Sequence, residues 1–467
     1  MHFRWLPTGY IAVDLIGAGL VTATSPLTAL RVLVGTYIVL LPLGTFALIR
    51  AVNPRAVGWT LVACLATFNW YFLAGFLSYS IGTALALLWL AWWWPRRRRR
   101  DTAFRLLGAL GIAGLFLVHM AAAATALIPV SVACVEPLLT HASRDHKFLS
   151  RRTARRLATA VVYFVPAVAL DLYMKWSSAF PQASEAIEFR PALDKFSHLL
   201  APFLSFSRID GVIIIIAYAT ALILCWSSRT PRRPVSLWPL ASAAMLICYF
   251  VSPVYLFAAW DVDVRFLLPA LLMAFVVPTS GQPRPPSHLA VGMLFSVGLL
   301  HAADMRLRAR QIDSRITSFL AVLRSVPSGA NTLVLVSHEE EDFRVDPFLH
   351  AGEWATVEHR SSRVNGLFSG GPNGAYLGHF ITCPQLYDVG VDWGREGFPA
   401  LDWAQIQRDY GYVALAGGNQ TARRRIQAGA TPVIVTPSAA VYRVTRTANN
   451  TGRASPVDYV SEKMCKS

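Results

Sequence analysis

The stretch at residues 87–100 constrains the fold of this chain more than any other feature. An apolar run reaches a tryptophan cluster at residues 92–94, and five consecutive arginines follow at residues 96–100. Tryptophan is enriched at the membrane–water interface, and arginine beside a membrane span marks the cytoplasmic side. The stretch therefore predicts a transmembrane helix that ends at the membrane–water interface. It also predicts that this end of the helix faces the cytoplasm.

The rest of the sequence favours a polytopic α-helical membrane protein. Hydrophobic residues make up 54% of the chain, and charged residues make up 15%. Apolar stretches of about 20 residues, the length that crosses a bilayer core, recur along it. They predict about ten spans, at residues 27–49, 57–73, 76–94, 104–118, 120–139, 157–173, 212–226, 237–259, 266–277 and 288–302.

The net charge of +16 comes largely from clusters between these stretches, at residues 96–100, 151–156 and 229–233. Such clusters are typical of cytoplasmic loops that follow the positive-inside rule, so we expect no nucleic-acid partner. With these loops inside, the N-terminus and residues 304–467 fall outside. Residues 10–21 are short for a span and favour an interfacial helix.

The pattern changes after the last span. We therefore expect a multi-span transmembrane domain at residues 1–303 and a small extracytoplasmic α/β domain at residues 304–467. The expected helices are 308–324, 402–408 and 422–428, and the expected strands are 332–336, 412–416, 432–435 and 441–444. Residues 366–378, which are rich in glycine, asparagine and proline, predict a long loop.

Polar residues at the outer ends of the spans are the candidate functional residues. Ionisable groups beside spans are costly, so they tend to be paired or functional. The predicted topology places thirteen such residues near one depth, where they would line a polar cavity that opens outward. They are Asp14, Arg31, Asn69, Trp70, Tyr71, His119, Asp171, Arg190, Asp194, Lys195, Asp261, Asp263 and Arg265.

Several of these residues also have a purely structural interpretation. Asp14 is either a solvated residue or a proton acceptor, and His119 either caps a helix or serves a site. Asp261 and Asp263 either pair with Arg265 or leave its guanidinium to bind a lipid phosphate, whose oxygens it matches. Two cations of the long outer loop would assist such binding, namely Arg190 and Lys195.

Neither a metal nor another cofactor is predicted. The motif that starts at His338 has Asp342 where a zinc protease needs its second histidine. A G-x-S-x-G nucleophile elbow is also missing from the sequence. Cys383 and Cys465 lie in polar sequence and would pair only in an oxidising compartment, so their pairing stays open.

Five features resemble bacterial polytopic GT-C-type glycosyltransferases. They are the helix pair at residues 68–88, the Pro…Asp-Leu segment at residues 6–15, His119 at a helix start, the segment at residues 249–270 with Asp263-Val-Arg265, and the Val-Tyr-Arg-Val strand at residues 441–444. The resemblance implies a multi-pass protein of the bacterial inner (plasma) membrane. It also implies transfer of a hexosyl or pentosyl group from a polyprenyl-phosphate donor to an extracytoplasmic glycan or lipid acceptor.

The resemblance also suggests site residues. Asp14 is not the family's usual base, but it is the nearest acidic residue left and would be the catalytic base here. Arg265, helped by Lys195, would hold the phosphate. The remaining expected substrate-binding residues are Arg190, His119, Asp263 and Asn69. Such enzymes carry a first span and an acidic outer loop that are expected to be missing here. The alternatives are a non-catalytic membrane protein that binds lipid or envelope polymer, and a transporter.

Overall fold

The structure is a computed structural model of the chain with two compact units, one within residues 6–305 and one within residues 306–467. It describes residues 11–97, 99, 101–141, 151–176, 187–203, 205, 207–227, 237–256, 259–276, 287–337, 348, 393 and 397–445. The expected loop at 366–378, the motif at His338, Cys383 and Cys465 lie outside the described residues.

The first unit is helical. Its helices are α1 (Ile11–Ala23), α2 (Pro26–Val52), α3 (Leu61–Leu65), α4 (Trp70–Leu73), α5 (Leu77–Trp93), α6 (Thr102–Val118), α7 (Met120–His141), α8 (Arg151–Trp176), α9 (Ala192–His198), α10 (Arg208–Ser227), α11 (Leu237–Val251), α12 (Leu267–Met273) and the first half of α13 (His288–Leu323). Within the described part, α2, α10 and α13 are long and apolar enough to cross a membrane.

The prediction of one span at residues 57–73 is wrong. A 3-10 helix at Pro54–Thr60 is followed by the short helices α3 and α4. The break before α4 arises because the side chain of Asn69 accepts a hydrogen bond from the backbone N–H of Phe72, which makes Asn69 a helix N-cap. A polar capping residue thus divides an apolar run that hydropathy alone predicts to be one continuous helix.

Two later predicted spans are also interrupted. The helix expected at residues 237–259 ends at Val251, and the antiparallel strands β1 (Tyr255–Leu256) and β2 (Ala259–Trp260) follow. The helix expected at residues 266–277 is the seven-residue α12. This shortening brings the acidic and basic residues of the 261–265 segment into the protein interior.

One long helix replaces two expected ones. Residues 288–302 and 308–324 were expected to form separate helices, but α13 is continuous over 36 residues. The junction at residues 301–310 contains neither glycine nor proline and is rich in alanine and arginine, which favour helix. The sequence therefore offers no helix breaker between the apolar and polar parts of α13.

Helices of the first unit approach closely at glycines. A Cβ at Gly44 of α2 would lie 2.6 Å from the carbonyl oxygen of Ala84 in α5. A Cβ at Gly82 would lie 2.8 Å from the Cβ of Ala122 in α7. Small residues let helix backbones pack at short distance, so these two positions fix how α5 lies against α2 and α7.

The second unit contains a four-stranded sheet in the order β3-β4-β6-β5. Its elements after α13 are β3 (Thr332–Val336), α14 (Trp403–Asp409), β4 (Tyr412–Ala416), α15 (Gln420–Gln427), β5 (Ala430–Val435) and β6 (Ala439–Val444). The four strands and two helices expected after residue 330 are present, with ends shifted by at most two residues.

The strands β3 and β4 are buried on both faces of the sheet. β3 pairs with β4 in parallel, and β4 pairs with β6 antiparallel. Leu333 and Val413 belong to one apolar cluster, whereas Val334 and Ala414 belong to another that includes Phe319 of α13. Burial on both sides explains the unbroken apolar runs of β3 and β4 in the sequence.

Candidate functional site

The segment between β2 and α12 carries the acidic and basic residues on which the candidate site is built. Asp261 follows β2 with φ of 54°, in the left-handed region that few non-glycine residues adopt. Asp263 begins the 3-10 helix Val264–Phe266 and accepts a hydrogen bond from the N–H of Val264 at 2.9 Å. The tight turn places both carboxylates beside the long loop that carries Arg190.

The two carboxylates bind cations of this loop. The Nη2 atom of Arg190 lies 2.8 Å from Oδ1 of Asp261, and its Nε atom lies 3.4 Å from Oδ2 of Asp263. The Nζ atom of Lys195 lies 3.7 Å from the same Oδ2. Burial raises the pKa of the Asp261 carboxyl, and the adjacent guanidinium of Arg190 opposes that rise.

Lys195 is buried and caps a helix. Its ammonium group donates hydrogen bonds to the carbonyls of Tyr249, Phe250 and Ser252 at 2.9, 2.9 and 2.6 Å. The hydroxyl of Tyr249 in turn donates to the carbonyl of Lys195. These carbonyls end α11, so the lysine satisfies acceptors that a helix C-terminus leaves open and complements its dipole.

Arg265 lies on the other side of the same turn, against His119. Its Nη1 atom is 3.3 Å from Nε2 of His119, and its guanidinium lies 5.4 Å from the centre of the Phe76 ring. The backbone beside it is anchored by two buried tyrosines. Tyr71 donates to the carbonyl of Val264 at 2.7 Å, and Tyr79 donates to that of Arg265 at 2.8 Å.

A donor lies at each ring nitrogen of His119, and a neutral imidazole can accept from only one of them. The backbone N–H of Ala121 donates to Nδ1 at 3.0 Å, so Nδ1 is an acceptor. Burial and the positive charge of Arg265 lower the pKa of His119 well below its usual value, which favours the neutral ring. A neutral ring with an acceptor at Nδ1 carries its proton on Nε2. In this tautomer Nε2–H and the guanidinium of Arg265 face each other as two donors, whereas in the other tautomer Nε2 accepts a hydrogen bond from the guanidinium.

The cluster carries an excess of positive charge. Three cations, Arg190, Lys195 and Arg265, lie around the carboxylates of Asp261 and Asp263, while His119 is neutral. Asp263, Lys195, Arg265 and His119 are all buried. Buried cations attract an anionic group more strongly than exposed cations do, because their charge is screened less than at a surface.

The remaining sequence candidates lie outside this set of contacts. Asn69 is buried, donates to the hydroxyl of Tyr37 at 2.9 Å and caps α4. The side chain of Asp14 is exposed on α1. Within the described residues, no hydrogen bond or ion pair joins Asp14 to the cluster. The structure thus brings together His119, Arg190, Lys195, Asp263 and Arg265, and it leaves Asn69 and Asp14 in other roles.

Sequence reasoning missed a second polar cluster in the same unit. Nδ1 of His301 in α13 lies 2.7 Å from Oδ2 of Asp210 in α10. The two residues are 91 positions apart, and both lie at the ends of apolar stretches. An ionisable residue in such a stretch is itself a signal for function.

An apolar groove lies beside α12. Its volume is about 480 Å³, and its lining includes Tyr218, Leu222, Leu246 and Leu271 from α10, α11 and α12. The hydroxyl of Tyr218 donates to the carbonyl of Leu271 at 2.7 Å, so this polar atom is satisfied within the wall. The groove therefore presents a mainly hydrocarbon surface, which suits an aliphatic chain.

In the part of the chain that the structure describes, no group of three histidine, cysteine or acidic side chains is arranged to hold a metal ion. Comparison of the chain with protein-family models, curated protein sequences and solved structures finds no match.

Proposed function

We propose that this chain is an integral-membrane protein that transfers a sugar from a polyprenyl-phosphate donor to an extracytoplasmic glycan or lipid acceptor. In this proposal it is a multi-span protein of a bacterial inner membrane, with its C-terminal α/β unit outside. The activity would be that of a GT-C-like hexosyl- or pentosyltransferase.

The facing donors of Arg265 and His119 carry the proposal. An acceptor atom beside these two groups, whose heavy atoms are 3.3 Å apart, could take a hydrogen bond from each of them. A phosphate oxygen supplies such an acceptor, and guanidinium groups match phosphate geometry with two parallel hydrogen bonds. Arg265 would bind the phosphate, and the neutral His119 would donate a second hydrogen bond to it.

The apolar groove supports a lipid-linked phosphate over a soluble one. α12 begins two residues after Arg265, and the groove residues Ala270, Leu271 and Ala274 lie on or just after this helix. At 1.5 Å per residue they lie about 8–14 Å along the chain axis from Arg265. A donor whose phosphate binds Arg265 would thus have an isoprenyl chain within reach of the groove.

The direct test is binding of a polyprenyl phosphate to the full chain in lipid nanodiscs, with the polyprenol of equal length as control. We expect Arg265→Gln to weaken binding of the phosphate about 10- to 100-fold, because a charge-assisted hydrogen bond contributes about 1.5–3 kcal/mol. The matched control is Arg50→Gln, an exposed arginine in the last turn of α2, which should bind as the wild type does. Equal affinity for alcohol and phosphate would overturn the phosphate site.

Activity is tested with radiolabelled polyprenyl-phosphate sugars in membranes that contain the protein. Transfer of label to glycan or lipid is expected from the wild type and not from Arg265→Gln. Tight phosphate binding with no transfer across a broad donor panel would favour the alternative function. In that case the protein binds lipid or envelope polymer without catalysis.

A further inference from the structure

A buried cluster of three polar residues connects α10 and α13. Oδ2 of Asp210 accepts a hydrogen bond from the hydroxyl of Ser205 at 2.7 Å and lies 2.7 Å from Nδ1 of His301. The exposed fractions are 1% for Ser205, 7% for Asp210 and 2% for His301. All three residues belong to the first unit.

The proton positions in this cluster follow from the chemistry of the groups. A carboxylate oxygen only accepts hydrogen bonds, so the Nδ1 atom that faces it carries a proton. In a neutral imidazole the other nitrogen, Nε2, then has a lone pair and is an acceptor. The carboxylate thereby fixes both the orientation of the ring and its tautomer, as an acidic residue does for a histidine base.

Among the residues that the structure describes, none donates a hydrogen bond to Nε2 of His301. Nε2 is buried and has no hydrogen-bond partner among the described residues. The ring of Phe68 packs edge-on against the imidazole with centroids 5.7 Å apart, which shields one side of it. Buried polar atoms are nearly always satisfied, so an orphaned acceptor at the end of a well-ordered hydrogen-bond chain indicates a place for a ligand donor.

One short segment connects this cluster with the Arg265 site. Phe68 contacts His301, and Tyr71, three residues later, donates to the carbonyl of Val264 next to Arg265. The Cα atoms of Phe68 and Tyr71 are at most about 10 Å apart, since a chain spans no more than about 3.3 Å per residue. His301 therefore contacts one end of the segment at residues 68–71. The other end contacts the backbone next to Arg265.

We propose that His301 is the general base that accepts the proton of the acceptor hydroxyl, with Asp210 as its positioning residue. The inference rests on the proposed transfer function and assigns to His301 the role that the sequence suggests for Asp14. An imidazole that is buried and oriented by a hydrogen bond to Asp210 is better suited to this role than an exposed carboxylate on α1.

The step is balanced in atoms and charge. The O–H bond of the acceptor breaks, its proton moves to Nε2, and its oxygen forms a bond with the anomeric carbon. The bond from that carbon to the phosphate oxygen breaks, and its electron pair stays on the phosphate held by Arg265. Asp210 compensates the imidazolium charge until the proton passes to the leaving phosphate or to water.

The first experiment measures sugar transfer and polyprenyl-phosphate binding on the same full-length variants. His301→Gln is expected to lower the transfer rate about 100-fold or more, the usual contribution of a general base, with donor affinity unchanged within about 3-fold. His288→Gln, at the exposed start of the same helix, is the matched control and should transfer at the wild-type rate. A wild-type transfer rate in His301→Gln overturns the inference. So does a result in which Asp14→Asn loses transfer and His301→Gln keeps it.

A second measurement separates this inference from the transfer function. ¹⁵N NMR of histidine-labelled protein in nanodiscs should show His301 with Nδ1 protonated and Nε2 unprotonated. Asp210→Ala should shift the ring toward the Nε2–H tautomer. A wild-type Nε2–H tautomer overturns the base assignment even if the protein transfers sugar.

The same spectra test the ligand site if no donor in the panel is used. Octyl glucoside, a small amphiphile with sugar hydroxyls, is titrated into the labelled protein. A saturable shift of the His301 Nε2 resonance supports a hydroxyl-binding site, although the transfer proposal itself would have failed. A resonance that does not move overturns the site.

Discussion

At the residue scale, the same charged side chain can serve the fold or a ligand, and its contacts decide between the two. Lys195 was expected to hold phosphate with Arg265. Its ammonium instead donates to three carbonyls at the end of α11, which are as many hydrogen bonds as it has protons. We therefore assign Lys195 to the stability of the α11 end and leave phosphate binding to Arg265 and His119.

Lys195→Met should destabilise the protein by about 3–5 kcal/mol, because it leaves three carbonyls without a donor and removes a cation from the buried Asp263. Thermal unfolding in detergent measures this loss. Asp194→Asn, on the exposed side of the same short helix, should change stability by less than about 0.5 kcal/mol. If Lys195→Met has normal stability but binds polyprenyl phosphate more weakly, Lys195 serves the ligand site and not the fold.

The sequence predicted which residues belong to the candidate site better than it predicted the contacts between them. His119 and Arg265 stand out because ionisable groups beside apolar stretches are rare. Their contact joins positions 146 residues apart and depends on how α5, α6 and α7 pack, which no local pattern specifies. The Asp210–His301 pair was missed for the same reason, since the two residues are 91 positions apart.

At the element scale, short apolar runs between turn signals predicted the strands correctly. Breaks inside long apolar runs were not predicted. The strands β3 and β4 were predicted because short runs of apolar residues lie between turn signals. The break at Asn69 was missed because one capping side chain inside an apolar run has little effect on hydropathy. The hairpin after α11 was missed because its residues are as apolar as those of the helix.

The contact between α2 and α5 depends on Gly44. We expect Gly44→Ala to destabilise the protein by about 1–3 kcal/mol, because the new Cβ meets a backbone carbonyl that cannot rotate away. Gly35→Ala is the matched control on the same helix, where no atom lies within 4 Å of the added Cβ. It should be neutral or slightly stabilising, since alanine favours helix more than glycine does. Equal thermal stability of the two variants would contradict this account of the packing.

At the scale of the whole molecule, helix length and the position of basic residues predict how the chain would lie in a membrane. Three described helices are long and apolar enough to cross, and the arginine run at residues 96–100 predicts which side is cytoplasmic. The shorter apolar helices of the first unit pack around a shared core. A smaller part of their surface is therefore left to face lipid. Hydropathy alone does not distinguish such helices from spans.

Cysteine labelling tests the proposed orientation. The six native cysteines are first replaced, and single cysteines are introduced at two exposed positions, Gln427 and Arg99. In intact cells, a membrane-impermeant maleimide should label Gln427→Cys and leave Arg99→Cys unlabelled until the membrane is permeabilised. Labelling of Arg99→Cys in intact cells would reverse the orientation and with it the outer position of the candidate site.

The continuity of α13 has a consequence for the lipid environment. Its 36 residues extend about 54 Å, whereas the hydrocarbon core of a bilayer is about 30 Å thick. A tilt of about 40° would still leave the helix longer than that core. If α13 crosses, its arginine-rich second half must therefore project into water, and the point of exit can slide along the helix. We thus expect this segment to tolerate bilayers of different thickness, with Arg306 and Arg308 adjusting to the headgroups through their flexible side chains.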